Sequence, residues 1–102
     1  MTTTATENFT TGPLYRKLVH VLPIYAQDPF SDSPTLNVQK LREAAGKSHE
    51  AVYKWLRSSR LTPENADLLV RLANSPENQA ILTRLDREFP TRKDFETFVY
   101  GA

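Results

Sequence analysis

The stretch Leu41-Arg42-Glu43-Ala44-Ala45-Gly46-Lys47-Ser48-His49-Glu50-Ala51-Val52-Tyr53-Lys54-Trp55-Leu56 decides how this chain folds. Its first half continues a helical pattern over 38–45, in which Val38, Leu41 and Ala45 share one face and the Asn37 side chain caps the exposed N–H groups at the start. Gly46 follows at once, and a residue without Cβ lets the backbone turn left-handed and end a helix at little cost. Ser48 then caps a second helix running to about Arg57, whose inner face carries Val52, Trp55 and Leu56. Two short helices crossing over a tight turn need a small residue near the crossing and apolar anchors on both sides. Ala45, Leu41, Val52 and Trp55 supply them, which makes Trp55 a core residue and not a stacking platform.

Upstream, Pro13 suits the first position of a helix over 13–22, and Leu14, Leu18, Val21, Leu22 and Tyr25 recur at three- and four-residue steps. Pro23 stops or kinks that helix, and the two prolines and polar residues of 26–35 read as a loop. Downstream, Thr62-Pro63-Glu64-Asn65 and Ser75-Pro76-Glu77-Asn78 each place a capping hydroxyl before a first-position proline and an acid that suits the helix dipole. They predict helices over 63–73 and 76–88, with Leu69, Leu72, Ile81, Leu85 and Phe89 as core. Thr91 with Asp94 opens a last short helix over 92–100 that presents Phe95, Phe98 and Val99. Residues 1–11 hold six Thr and one large apolar residue, Phe9, and read as a flexible tail unless Phe9 docks on the body. No strand pattern emerges. The fold class is all-α, a compact bundle of five or six short helices forming a single domain over 12–102.

The chain has 102 residues, 39% hydrophobic and 25% charged, which is one domain's worth of a globular sequence with one modest core. The absence of Cys excludes a disulfide scaffold, a thiolate metal site and a cysteine nucleophile. No apolar run approaches the roughly 18 residues of a membrane span, and the Thr-rich start is not a signal peptide, so a soluble, cytoplasmic protein is expected. The net charge of +1 hides a strong asymmetry. Between Val38 and Arg60, Lys40, Arg42, Lys47, Lys54, Arg57 and Arg60 stand against Glu43 and Glu50, a local +4 inside a remainder of −3. That is the pattern of a localised anion-binding surface, or of a solvated face with excess cations.

Residues 36–74 resemble the lambda-repressor/Cro-like helix-turn-helix DNA-binding family. The resemblance is carried by Leu41, Ala45, Gly46, Val52, Trp55 and Leu56, and extends to Arg60-Leu61-Thr62-Pro63 and the capped helix that follows. Helix 13–22 stands where that family has its first helix, although the connecting loop is long here, and residues 75–102 have no clear counterpart. Two residues depart from the pattern. Arg42 stands where the family has Ala, and Lys47 stands where an apolar residue plugs the turn; each can lay its stem on the core and carry its charge outward.

The resemblance implies a helix-turn-helix over 38–57 whose recognition helix, 48–57, enters the major groove with its first turn leading. Because Val52, Trp55 and Leu56 face inward, His49, Glu50, Tyr53, Lys54 and Arg57 face outward. His49, Glu50, Tyr53 and Lys54 are the candidate base contacts: Lys54 to guanine O6/N7, Glu50 to a cytosine amino group, His49 to a guanine or a phosphate, Tyr53 to a thymine methyl or a phosphate. Glu50 equally fits a dipole partner and an ordinary ion pair with Lys54, and His49 a plain exposed imidazole. Gln39, Lys40, Lys47, Ser48, Arg57, Ser58, Ser59 and Arg60 are the candidate phosphate contacts. The family also implies a homodimer on double-stranded DNA, with Phe95, Phe98, Val99 and Tyr100 either forming the interface or closing their own core.

Catalysis has little to stand on. There is no Cys, metal-ligand cluster or Gly-rich phosphate loop, so no cofactor or metal is expected, and the adjacent Ser48 and His49 do not have nucleophile–base geometry. His20, in an apolar helix, reads as a partly buried packing residue. The expected function is a sequence-specific transcriptional regulator of the small bacterial or phage repressor type. The alternatives are a DNA-binding assembly component, such as a small packaging subunit, and a helix-turn-helix used on protein, as in an antitoxin or inhibitor.

Overall fold

The first helix, α1 (Pro13–Val21), opens on its proline and buries Leu14, Tyr15, Leu18 and Val21, as the apolar spacing requires. In the computed structural model, which describes residues 12–99, it ends one residue before its predicted limit. Pro23 then starts a 3-10 turn, Pro23–Tyr25, that keeps Pro23 and Tyr25 buried.

The segment expected to be a plain loop contains a two-stranded antiparallel ribbon. Strand β1 (Ala26–Gln27) pairs with β2 (Thr35–Leu36) in the register Ala26 to Leu36 and Gln27 to Thr35. Two-residue strands are too short to show any alternation in sequence. The ribbon is held by partners outside it: the Leu36 N–H donates to the Tyr15 hydroxyl (2.9 Å), and the Asn37 N–H donates to the Tyr25 carbonyl (2.7 Å). The fold is therefore mostly helical with a small sheet, and not purely all-α.

Three helices follow: α2 (Val38–Ala45), α3 (His49–Ser58) and α4 (Pro63–Ala73). Each carries the predicted cap. Asn37 accepts from the Lys40 N–H, Ser48 from the Ala51 N–H and Thr62 from the Asn65 N–H. Helices α2 and α4 pack on each other, and α3 packs on α1 and α2. Leu14, Leu18, Leu22, Leu41, Val52, Leu56, Leu61, Leu69 and Phe95 are wholly buried where these elements meet.

The C-terminal third departs most from expectation. Helix α5 (Pro76–Arg84), capped by Ser75, stops four residues short of residue 88. Asp86 adopts a left-handed φ of 58°, the Arg87 N–H donates to the Leu82 carbonyl (2.9 Å) and the Asp86 N–H to the Thr83 carbonyl (3.1 Å). These are the two bonds of a Schellman stop, formed without the glycine that usually announces one. Leu82 is the wholly buried apolar residue of α5, while Ile81 and Leu85, like Leu72 in α4, are half-buried. Phe89, expected in the core, is 45% exposed because the chain has already left the helix.

The expected helix over 92–100 is a 3-10 helix, Arg92–Phe98, at whose start the Thr91 N–H donates to the Asp94 carboxylate (2.8 Å). Phe95 is wholly buried in its own chain and belongs to the core. Phe98 and Val99 are half-buried and pack on that core. The Leu61 N–H donates to the Phe98 carbonyl (2.7 Å), and Leu61 and Val99 form a parallel bridge. The tail 1–11 with Phe9, and Tyr100, lie outside the described residues.

One buried polar side chain fastens the helices together. Asn78, at the start of α5, is wholly enclosed; its Oδ1 accepts from the Ile24 N–H (3.1 Å), and its Nδ2 donates to the carbonyls of Val21 (2.9 Å) and Ala73 (2.7 Å). It thus satisfies the open ends of α1 and α4 at once. Among the described residues, no helix is long and apolar enough to cross a membrane.

Candidate nucleic-acid interface

The surface that gathers the basic residues is built on α2, α3 and the segment leading to α4. Helix α2 ends in a Schellman stop centred on Gly46 (φ 69°): the Gly46 N–H donates to the Glu43 carbonyl (3.3 Å) and the Lys47 N–H to the Arg42 carbonyl (3.0 Å). Such stops commonly carry an apolar contact between the two residues that here are Arg42 and Lys47. The two departures noted in the sequence are thus the two ends of one motif. Arg42 is half-buried, with its Nε donating to Gln39 Oε1 (3.4 Å), and Lys47 is exposed.

Beyond the turn, α3 buries Val52, Trp55 and Leu56 and exposes His49, Glu50, Lys54, Arg57 and Ser58. Tyr53 is half-buried and packs on the core, and the His49 ring stacks on it with centroids 5.7 Å apart and planes 14° from parallel. Ser48 uses an acceptor lone pair on the Ala51 N–H (3.1 Å), which leaves its O–H to donate, the polarity a phosphate oxygen needs.

The candidate phosphate residues divide into two groups. Lys40, Lys47, Ser48, Arg57 and Arg60 are exposed around the outer face of α2 and α3. Ser58 and Arg60, together with the candidate base contact Lys54, line a shallow cleft of about 240 Å³ that opens between the end of α3 and the Thr62 cap of α4. Within it, the Ser58 hydroxyl donates back to the Lys54 carbonyl (2.7 Å). Gln39 is exposed, with one N–H of its Nε2 donating to Glu43 Oε2 (2.6 Å), which leaves the second N–H of that amide to donate to a ligand.

Ser59 stands apart from the others. It is half-buried in a left-handed conformation (φ 53°) at the end of α3, and its Oγ accepts from the Leu14 N–H (3.4 Å). Helix α1 starts from Gly12, which has no side chain to cap it, so Ser59 performs that task from 45 residues away. Sequence reasoning missed this, because only the folded chain brings the two together.

His20, expected to be partly buried in packing, lies exposed on the outer side of α1, with Arg87 Nη1 donating to its carbonyl (2.8 Å). Partial desolvation of the ring, then the charges of Arg87 and Lys17, lower its pKa from the usual 6.5, against an opposing pull from Asp94. Asp94 is itself 3.7 Å from Lys17. Among the described residues, no group of three or more His, Asp or Glu is placed to hold a metal ion.

No protein-family model, curated protein or solved structure matches this chain. Its functional reading therefore rests on the residues themselves.

Proposed function

We propose that the chain is a sequence-specific DNA-binding transcriptional regulator of the small bacterial or phage repressor type, in which 38–58 acts as a helix-turn-helix and α3 enters the major groove. The observation that carries this reading is the division of α3 itself. Val52, Trp55 and Leu56 anchor it to the body, while His49, Glu50, Lys54 and Arg57 project from the opposite side next to the cations of α2 and the turn. Lys54 reads guanine and Glu50 accepts from a cytosine amino group. Lys40, Lys47, Ser48, Arg57 and Arg60 hold the phosphates on either side. One such helix reads few base pairs, so the protein acts as a homodimer on two half-sites about one DNA turn apart.

Fluorescence anisotropy with a random-sequence duplex tests the reading. Four cations on phosphates (Lys40, Lys47, Arg57, Arg60) give a slope of about −3.6 per chain in log K against log salt. Affinity then falls about a hundredfold between 50 and 200 mM salt for a single bound chain and about ten-thousandfold for the homodimer. A signal at background, or one indifferent to salt, refutes the proposal.

A further inference from the structure

The stacked pair at the head of α3 offers a chemistry that neither a lysine nor a backbone donor provides. We propose that the His49 ring, backed by Tyr53, is a reading surface for the C5-methyl group of a thymine in the major groove; this rests on the DNA-binding reading above. Tyr53 is half-buried and packed on the core, so its ring is a fixed base. The imidazole lies nearly parallel to it in an offset stack, centroids 5.7 Å apart, and His49 is exposed. His49 is also the first residue of α3, at the end that leads into the groove.

The thymine methyl is the apolar group that a base pair shows on its major-groove edge, and a flat ring face is complementary to it. The offset contact with Tyr53 favours this ring orientation, which lowers the ordering cost of a contact made there. The other roles open to His49, donating to guanine or to a phosphate, use the nitrogen edge and are indifferent to a methyl group.

Duplexes recovered from a random pool by the protein, then resynthesised with deoxyuridine in place of one thymidine at a time, isolate the methyl without altering base pairing. At one thymine position in each half-site, Kd rises about fourfold, the equivalent of burying one methyl group. His49→Phe keeps that preference for thymine over uracil, because it keeps the ring, and His49→Ala abolishes it while circular dichroism shows the helices intact. The inference is overturned if the wild-type protein binds every uracil duplex as tightly as its parent, if the recovered site contains no thymine, or if His49→Ala retains the preference. Recovery of no duplex at all instead brings down the DNA-binding reading.

Discussion

Replacing Asn78 with alanine leaves the Ile24 N–H and the carbonyls of Val21 and Ala73 without partners in a place where the side chain is wholly buried. A buried polar group deprived of its hydrogen bond costs about 1–3 kcal/mol, and three such groups with some entry of water give a loss of about 3–5 kcal/mol. Against a domain stability of about 5–15 kcal/mol, Asn78→Ala removes a large share, and the melting temperature falls by more than about 10 °C. Asn78→Asp sharpens the test, because it preserves shape and reverses polarity. The carboxylate still accepts from Ile24 but turns an anion toward two carbonyl oxygens, so its pKa in the folded state rises above the unfolded value of about 3.9. The stability of the protonated form is fully present below that unfolded pKa and is lost as pH rises through the folded one. Urea denaturation at pH 7 and pH 4 therefore shows the Asp variant closing part of its gap to the wild type in acid. An alanine variant within 1 kcal/mol of wild type, or an Asp variant whose gap does not change with pH, refutes the role given to Asn78.

Gly46→Ala is destabilising by about 1 kcal/mol in urea denaturation, entirely from the left-handed backbone, because a Cβ built there meets nothing within 4 Å; Gly46→Asn costs less. His20 titrates by NMR with a midpoint below 6.5, and Arg87→Ala moves it upward. Its lowered pKa means a small stabilising contribution, complete above 6.5 and lost as pH falls through the folded value. Lys54→Ala reduces discrimination between DNA sequences by about 1–3 kcal/mol, whereas Arg60→Ala weakens all duplexes alike and shallows the salt slope by about one unit. Equal losses for both on selected and random DNA refute that division of labour.

Helix starts were legible because capping is local: Asn37, Ser48, Thr62 and Ser75 each need only an N–H three residues on. The outward face of α3 was legible for a similar reason, since period and three apolar residues determine it. What stayed hidden depends on distant parts of the chain. Tyr15 pins Leu36 across 21 residues, Ser59 caps α1 across 45, and Asn78 reaches Val21 across 57. The early end of α5 was hidden for a different reason. Asp86 takes a left-handed conformation that few non-glycine residues adopt, so the sequence carries no stop there and Phe89 was read as core. At the candidate site this means that exposure was foreseeable for Lys54 and Arg57, and the prior engagement of Gln39 and Ser59 was not.

The turn between α2 and α3 is where the demands of folding and of binding separate most clearly. A Schellman stop frequently carries an apolar contact between its two ends, and this one places Arg42 and Lys47 there. Proteins break such local rules at functional or strained positions, and on the DNA-binding proposal this turn is one of the former. Lys47 is exposed, and no carboxylate lies within ion-pair distance of it among the described residues, so its charge gains little until an anion arrives. Lys47→Leu restores the apolar contact with the Arg42 stem and stabilises the fold by up to about 1 kcal/mol, the gain falling where exposed leucine surface offsets it. On the DNA-binding proposal the same change removes one phosphate contact, which shallows the salt slope by about 0.9 per chain and weakens binding to every duplex equally. Thermal denaturation and anisotropy on the same sample read both effects. A variant that gains stability and binds DNA undiminished shows that the cation at the turn has no anionic partner, and one that loses stability shows that Lys47 was packing the turn with its stem.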